Sequence, residues 1–138
     1  MSLNKLLRTS DSWSLLLVRV SVGIVICAHG LQKLGYFGGG GWDGTIQFMT
    51  SMGIPAFVAA LVIIGESFGG AALVIGLLTR FCAAEIAMIM LGAIALVHAK
   101  NGLLGQGGFE LPLVILGSCL GLMLAGGGKW SVDRMIQK

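Results

Sequence analysis

The sequence predicts an all-α, polytopic membrane protein, a four-transmembrane-helix bundle with both termini on the cytoplasmic side. Composition is the first reason. Of 138 residues, 56% are hydrophobic and 11% charged, with a mean hydropathy of +0.93. A water-facing surface needs far more charge than this. The second reason is that apolar runs able to cross roughly 30 Å of hydrocarbon recur along the chain. The third is charge placement, which sets the orientation.

Span one is expected over about residues 13–34, interrupted by Arg19 and His29. Lys5 and Arg8 precede it as in a signal peptide. The run is of full spanning length, however, and no small-residue cleavage site follows, so an uncleaved first span is expected. Span two covers about residues 55–78 and opens at Pro55, which suits the first turn of a helix. Only Thr79 and Arg80 separate it from span three, about residues 81–99. After "KNGLLGQGG", span four runs over about residues 109–125. A single membrane domain over residues 1–138 follows, without an internal repeat.

Lys5, Arg8, Arg80, Lys129, Arg134 and Lys138 fall at the termini or in the second loop, against Lys33 and Lys100 on the other side. The positive-inside rule therefore puts both termini in the cytoplasm, as an even number of spans requires. The net charge of +3 speaks to this orientation in a cell inner membrane rather than to nucleic acid. Cys27, Cys82 and Cys119 sit in apolar segments without a CxxC pair, as small buried hydrophobes rather than a metal or disulfide site.

Two GxxxG pairs, Gly65 with Gly69 and Gly117 with Gly121, predict close helix packing. In the outer loop, residues 35–53, "DGTIQFMTSMG" predicts a short helix with Asp43 as N-cap. Ile46, Met49 and Met52 would share a face lying on the membrane or on the bundle. Tyr36, Phe37 and Trp42 are placed for the headgroup level, so an interfacial anchor is favoured over a lid.

Ionisable groups inside spans are costly, and they usually find partners or mark a site. Here they are Arg19, His29, Glu66, Glu85, His98 and Glu110. Glu66 falls mid-span, with Arg19 about 7 Å to the cytoplasmic side of centre, so an Arg19–Glu66 pair is the expected economical arrangement. Near the outer face, His29 and Lys33 share a helix face, and Gln32, Asn101, His98 and Glu110 lie at a similar depth. This group could bind a polar head group and exchange protons, since histidine titrates near neutrality. The alternative is that these residues are wetted at the interface, with Lys33 snorkelling. Glu85 is set aside, about one turn deep and roughly 140° from His98. Bis-histidine haem ligation would need His29 and His98 to face each other across a wide gap, and no haem, flavin or metal motif accompanies them.

The arginine in span one followed by "HGLQKL", then "MGIP", "ESFGGAALVIGLLTR", "GGFELPL" and "GGGKWSVD", resembles the DoxX family of small four-helix membrane proteins over nearly the whole chain. The family takes its name from an archaeal membrane complex that passes electrons from thiosulfate to quinone, and other members are linked to oxidative-stress complexes. The resemblance implies ligand-binding or proton-handling roles for Arg19, His29, Gln32, Lys33, Glu66 and Glu110. His98 fits the pattern less closely, and Glu85 lies outside it. The expectation is a quinone- or quinol-interacting subunit or accessory of a membrane oxidoreductase complex. Its electrons would come from a redox-enzyme partner or a diffusible quinone. A noncatalytic scaffold for a redox or stress-response partner is the alternative, and a homo-oligomeric proton-coupled transporter a second one. No inverted repeat or broken helix favours transport.

Overall fold

The computed structural model describes residues 7–137. These residues contain helices and turns and no strand. Helix α1 is Trp13–Lys33, α2 Gly41–Ser51, α3 Ala56–Ile75, α4 Thr79–Asn101, α5 Glu110–Ala125 and α6 Val132–Ile136. Helices α1, α3 and α4 are long and apolar enough to cross a membrane, while α5 is apolar but shorter at 16 residues. Packing runs α1 on α3, α3 on α4, α4 on α5 and α5 back on α1, closing a ring. Its core is built from Ile26, Leu73, Ile86, Cys119 and Leu122.

Glycines decide how closely α1 and α3 approach. A Cβ on Gly30 would land on the Ser67 backbone, one on Gly23 at 2.8 Å from the Val74 nitrogen, and one on Gly70 on the Cys27 backbone. Without water to drive helices together in lipid, such backbone contact supplies dispersion over a large surface. The two GxxxG pairs have other surroundings. Gly117 and Gly121 face open space on α5, and Gly65 and Gly69 face the Glu85 side chain rather than a neighbouring backbone. The expectation of close packing thus holds for Gly65 and Gly69, which take α4 side chains against α3, and is corrected for Gly117 and Gly121.

Both long helices after α2 contain a π-type widening, Gly65–Gly69 in α3 and Ile94–His98 in α4. Helix α3 stops at Ile75, before the expected position 78, because Gly76 takes the left-handed conformation (φ 73°) that ends a helix at little cost. Helix α2 starts two residues before the predicted N-cap. Asp43 sits in its first turn with no capping hydrogen bond, where its charge still meets the positive end of the helix. Met49, with Ile46 and Met52 beside it, packs on Ile54 and Ala59 at the start of α3, so this face lies on the bundle.

After α5 the chain turns back under the helices. Ser10 N–H donates to the Ala125 carbonyl and Lys129 N–H to the Ser12 carbonyl, tying the segment before α1 to the segment after α5. Asp133 is buried and accepts from the Leu78 and Thr79 amides at 2.7 and 2.8 Å, capping the start of α4 from α6. On the outside of this fold-back, Arg134 donates to both carboxylate oxygens of Asp11, and Lys129 lies over the Trp13 ring at 4.7 Å.

Two outcomes follow from this packing. Gly30→Ala should destabilise the protein by about 1–3 kcal/mol by overpacking the α1–α3 contact. Gly117→Ala, facing open space, should leave the unfolding midpoint in detergent unchanged. The Arg134 guanidinium also holds Asp11 below the usual carboxylate range. The fold thus favours ionised Asp11, and that contribution is complete above the usual range and lost as pH falls through the lowered value. The thermal midpoints of wild type and Asp11→Asn should therefore converge below about pH 4.

Candidate functional site

The α1–α3 register places Lys33, in the last turn of α1, beside Glu66 in the widened segment of α3. Lys33 Nζ donates to Glu66 Oε2 at 2.5 Å, with the lysine side chain 26% exposed and the glutamate 5%. A carboxylate this buried needs a cation, and a charge-assisted hydrogen bond of this length supplies it. Thr45 of α2 donates to the Lys33 carbonyl at 3.0 Å, so α2 also fixes the turn that carries the lysine.

Arg19 is therefore not the partner of Glu66, and the expected Arg19–Glu66 pair is corrected. The expectation centred both spans at one depth. In the structure α3 reaches beyond the end of α1, where α2 packs on it, and Arg19 lies level with the opposite end of α3. Glu66 is seven residues from Leu73, about 10 Å along the helix. Arg19 is 1% exposed and spends its donors on backbone carbonyls: Nε on Gly127 at 2.8 Å, Nη1 on Leu73 at 3.0 Å and on Val74, Nη2 on Lys129 at 3.2 Å. It caps the negative end of α3 and clamps the returning chain, a structural task.

The turn that carries Lys33 also presents Gln32 and His29 toward the membrane side of α1. Together with Ile24, Val25, Ala28 and Phe37 they line a shallow, laterally open groove of about 360 Å³. Phe37 is held there in a left-handed conformation (φ 54°) between Gly35 and Gly38, both with positive φ. The groove thus has polar groups at the end where α1 stops and aliphatic side chains toward the middle of that helix.

The remaining expected residues stand apart from these two features. His98 Nδ1 lies 2.7 Å from the Gly107 carbonyl, which Asn101 also reaches at 2.9 Å. A carbonyl only accepts, so Nδ1 carries the proton and donates. His98 thus holds the loop between α4 and α5. Glu110 is exposed in the first turn of α5, where a negative charge suits the helix end. Among the described residues no hydrogen bond or ion pair joins either of them to His29, Lys33 or Glu66. One residue with structural weight, Asp133, was not singled out from the sequence. Glu85, partly buried, places its carboxylate against Gly65 and Gly69.

Comparison with known proteins agrees with this architecture. The DoxX family profile matches residues 14–99. The chain is 34% identical over 123 residues to a Bacillus subtilis protein named "Putative oxidoreductase CatD", covering 89% of this chain and 87% of that one. It is likewise 34% identical over 128 residues to the inner membrane protein YqjF of Escherichia coli, covering 89% and 92%. No solved structure matches the chain.

Removing Lys33 should expose the weight of its pair. Lys33→Ala leaves a buried carboxylate without a cation and should cost about 1–3 kcal/mol, reduced from fully buried cases by the lysine's partial exposure. Adding Glu66→Gln to Lys33→Ala should recover part of that loss. A double-mutant cycle in detergent unfolding should give a coupling of about 1 kcal/mol or more.

Proposed function

The chain belongs to the DoxX family of membrane proteins, and from that premise we propose that it is a quinone- or quinol-interacting subunit or accessory of a membrane oxidoreductase complex. In this reading α5 is a fourth span, and both ends of the chain lie on the cytoplasmic side of a cell inner membrane. The tie between Ser10 and Ala125 at one end of the bundle, with Arg8, Arg80, Lys129 and Arg134 around it, supports that orientation.

The observation that carries the reading is the lateral groove. It opens to lipid, is polar at one end through His29 and Gln32, and lies on the turn that carries the buried Lys33–Glu66 pair. A quinone supplies a two-electron, two-proton couple on a flat ring with carbonyl acceptors and an apolar tail. His29 and the Gln32 amide can donate to such carbonyls, and the exposed Phe37 ring offers an apolar face beside them. Ile24, Val25 and Ala28 line the route for a tail. The Lys33–Glu66 pair stands behind the groove.

The packed interior favours one second reading, a noncatalytic scaffold. Side chains fill the ring of helices, and the returning C-terminal segment is hydrogen-bonded across its end. In that case the groove would hold ordinary lipid.

The two readings separate by titration of a short-chain quinone into protein in nanodiscs. The quinone reading expects saturable binding that His29→Ala or Gln32→Ala weakens about tenfold, the loss of roughly one hydrogen bond at 1.4 kcal/mol. Neither residue is in the core, so the fold should survive. Binding unaltered in both variants, or none at all, would overturn it. A partner oxidoreductase that co-purifies and keeps full activity with His29→Ala would establish the scaffold.

A further inference from the structure

Glu85 is an intramembrane carboxyl group for which the groove and the Lys33–Glu66 pair have no use. It lies six residues into α4, about 9 Å from the start of that helix. It is only partly buried, so one side of it lies on the outer surface of the bundle rather than in the core. No lysine, arginine or histidine pairs with it among the described residues, whose ion pairs are Lys33–Glu66 and those of Asp11.

Its surroundings have a definite shape. A Cβ on Gly65 would come within 2.5 Å of Glu85 Oε1, and one on Gly69 within 3.3 Å of Oε2. The glycine pair of α3 thus presents bare backbone to both oxygens, and Ile89 and Ile86 of α4 close the sides. The seat coincides with the π-type widening Gly65–Gly69, a helical irregularity that frequently marks functional positions. Facing charges are few. From α3 the neighbouring Glu66 is turned to Lys33, and on α4 itself Cys82 stands three residues before Glu85 and is buried in the core. A naked carboxylate in such a place is expensive, whereas a neutral carboxylic acid is not.

We propose that Glu85 is a proton-binding site: a carboxylic acid seated on the Gly65–Gly69 backbone, open to the bilayer, that holds one proton and releases it to a base. Release leaves one negative charge on the carboxylate and moves no electron. The GxxxG pair is then the floor of this seat. The site lies on a different flank of α3 from the Lys33–Glu66 pair, and it stands whether or not the groove takes a quinone.

A membrane-soluble carbodiimide, dicyclohexylcarbodiimide, tests this, because it adds to protonated carboxyl groups in an apolar setting. Nothing leaves in the addition, so the labelled peptide gains the mass of the reagent. With the full chain in native membranes, mass spectrometry should find the adduct on Glu85. The yield should fall about tenfold per pH unit once the acid ionises. Glu85→Gln should abolish the label, Glu85→Asp should retain it, and Gly65→Ala should reduce it by filling the seat. Glu66 should label only when Lys33 is removed, and His29→Ala should leave Glu85 labelling unchanged. The infrared carbonyl band of a protonated carboxylic acid, lost in Glu85→Gln, provides a readout independent of reagent access. Absence of both label and band would overturn the proposal. So would labelling that ignores pH, or preference for a water-soluble carbodiimide, which would mean that Glu85 snorkels to the aqueous end.

Discussion

The backbone contact between α1 and α3 sets the positions of the polar side chains. In lipid there is no hydrophobic force between helices, so their register is chosen by how closely they fit and by what their polar groups find. Gly23, Gly30 and Gly70 permit near contact at three levels, and larger residues there would force the helices apart. Once Gly30 lies on Ser67, Lys33 must fall next to Glu66, and Arg19 must fall at the end of α3. One register thus satisfies three costly groups at once. A shift by a helical turn would leave a lysine, a glutamate and an arginine without partners, at a cost greatest for the buried glutamate and arginine.

The same register divides the charged residues between two tasks. At the end where the chain returns, Arg19 meets the carbonyls that finish α3, while Asp133 meets the amides that begin α4. Each is placed at the helix end whose partial charge is opposite to its own. Together they stabilise a turn so short that Gly76 and Leu78 both take left-handed conformations, at φ 73° and 48°. For Leu78 that conformation costs on the order of 1 kcal/mol, and the Asp133 carboxylate on its amide holds it there. At the other end the charged and polar groups are not consumed in this way. Lys33 and Glu66 satisfy each other, and His29 and Gln32 remain free to face lipid.

The helical class and the places where the helices run were legible in composition and hydropathy, because a membrane imposes length and apolarity directly on sequence. The "HGLQK" turn stood out too, since an imidazole and an ammonium at one helical face are conspicuous in an apolar run, and its Lys33 is the residue that pairs with Glu66. What escaped was register. Arg19 and Glu66 look like partners when each span is centred on its own apolar stretch, but α3 extends past α1 because α2 buries its opening turns. Arg19's true acceptors are main-chain carbonyls, which carry no mark in the sequence. Asp133 escaped for the same reason, since its partners are amides 54 and 55 residues away. Gly76 in "IGLLTR" was the readable signal, as a helix stop that shortens α3 and moves its centre. The second GxxxG pair misled in the other direction: a Cβ on Gly117 or Gly121 would meet nothing among the described residues, while Gly23 and Gly30, seven apart, carry the α1–α3 contact.

These placements constrain where chemistry can occur. A ring of helices closed on itself by Ile26, Leu73, Ile86, Cys119 and Leu122 has its interior occupied. A chain of 138 residues that uses its centre for packing has only its lipid-facing sides and its two ends for ligands. At one end the clamp of Arg19 and Asp133 closes the interior, and an open groove of about 660 Å³ between Asp11, Trp13, Lys129, Trp130 and Arg134 lies outside it. The two sites proposed above are lateral: the groove at His29 and Gln32 on α1, and the seat of Glu85 where α4 meets α3. In a bilayer both would be open to the membrane, so an apolar molecule dissolved there could meet them without passing through water. Loops in a soluble enzyme commonly position a substrate. Here the bilayer itself would hold the tail of such a molecule, and the protein would need to supply only the few polar atoms that recognise its head.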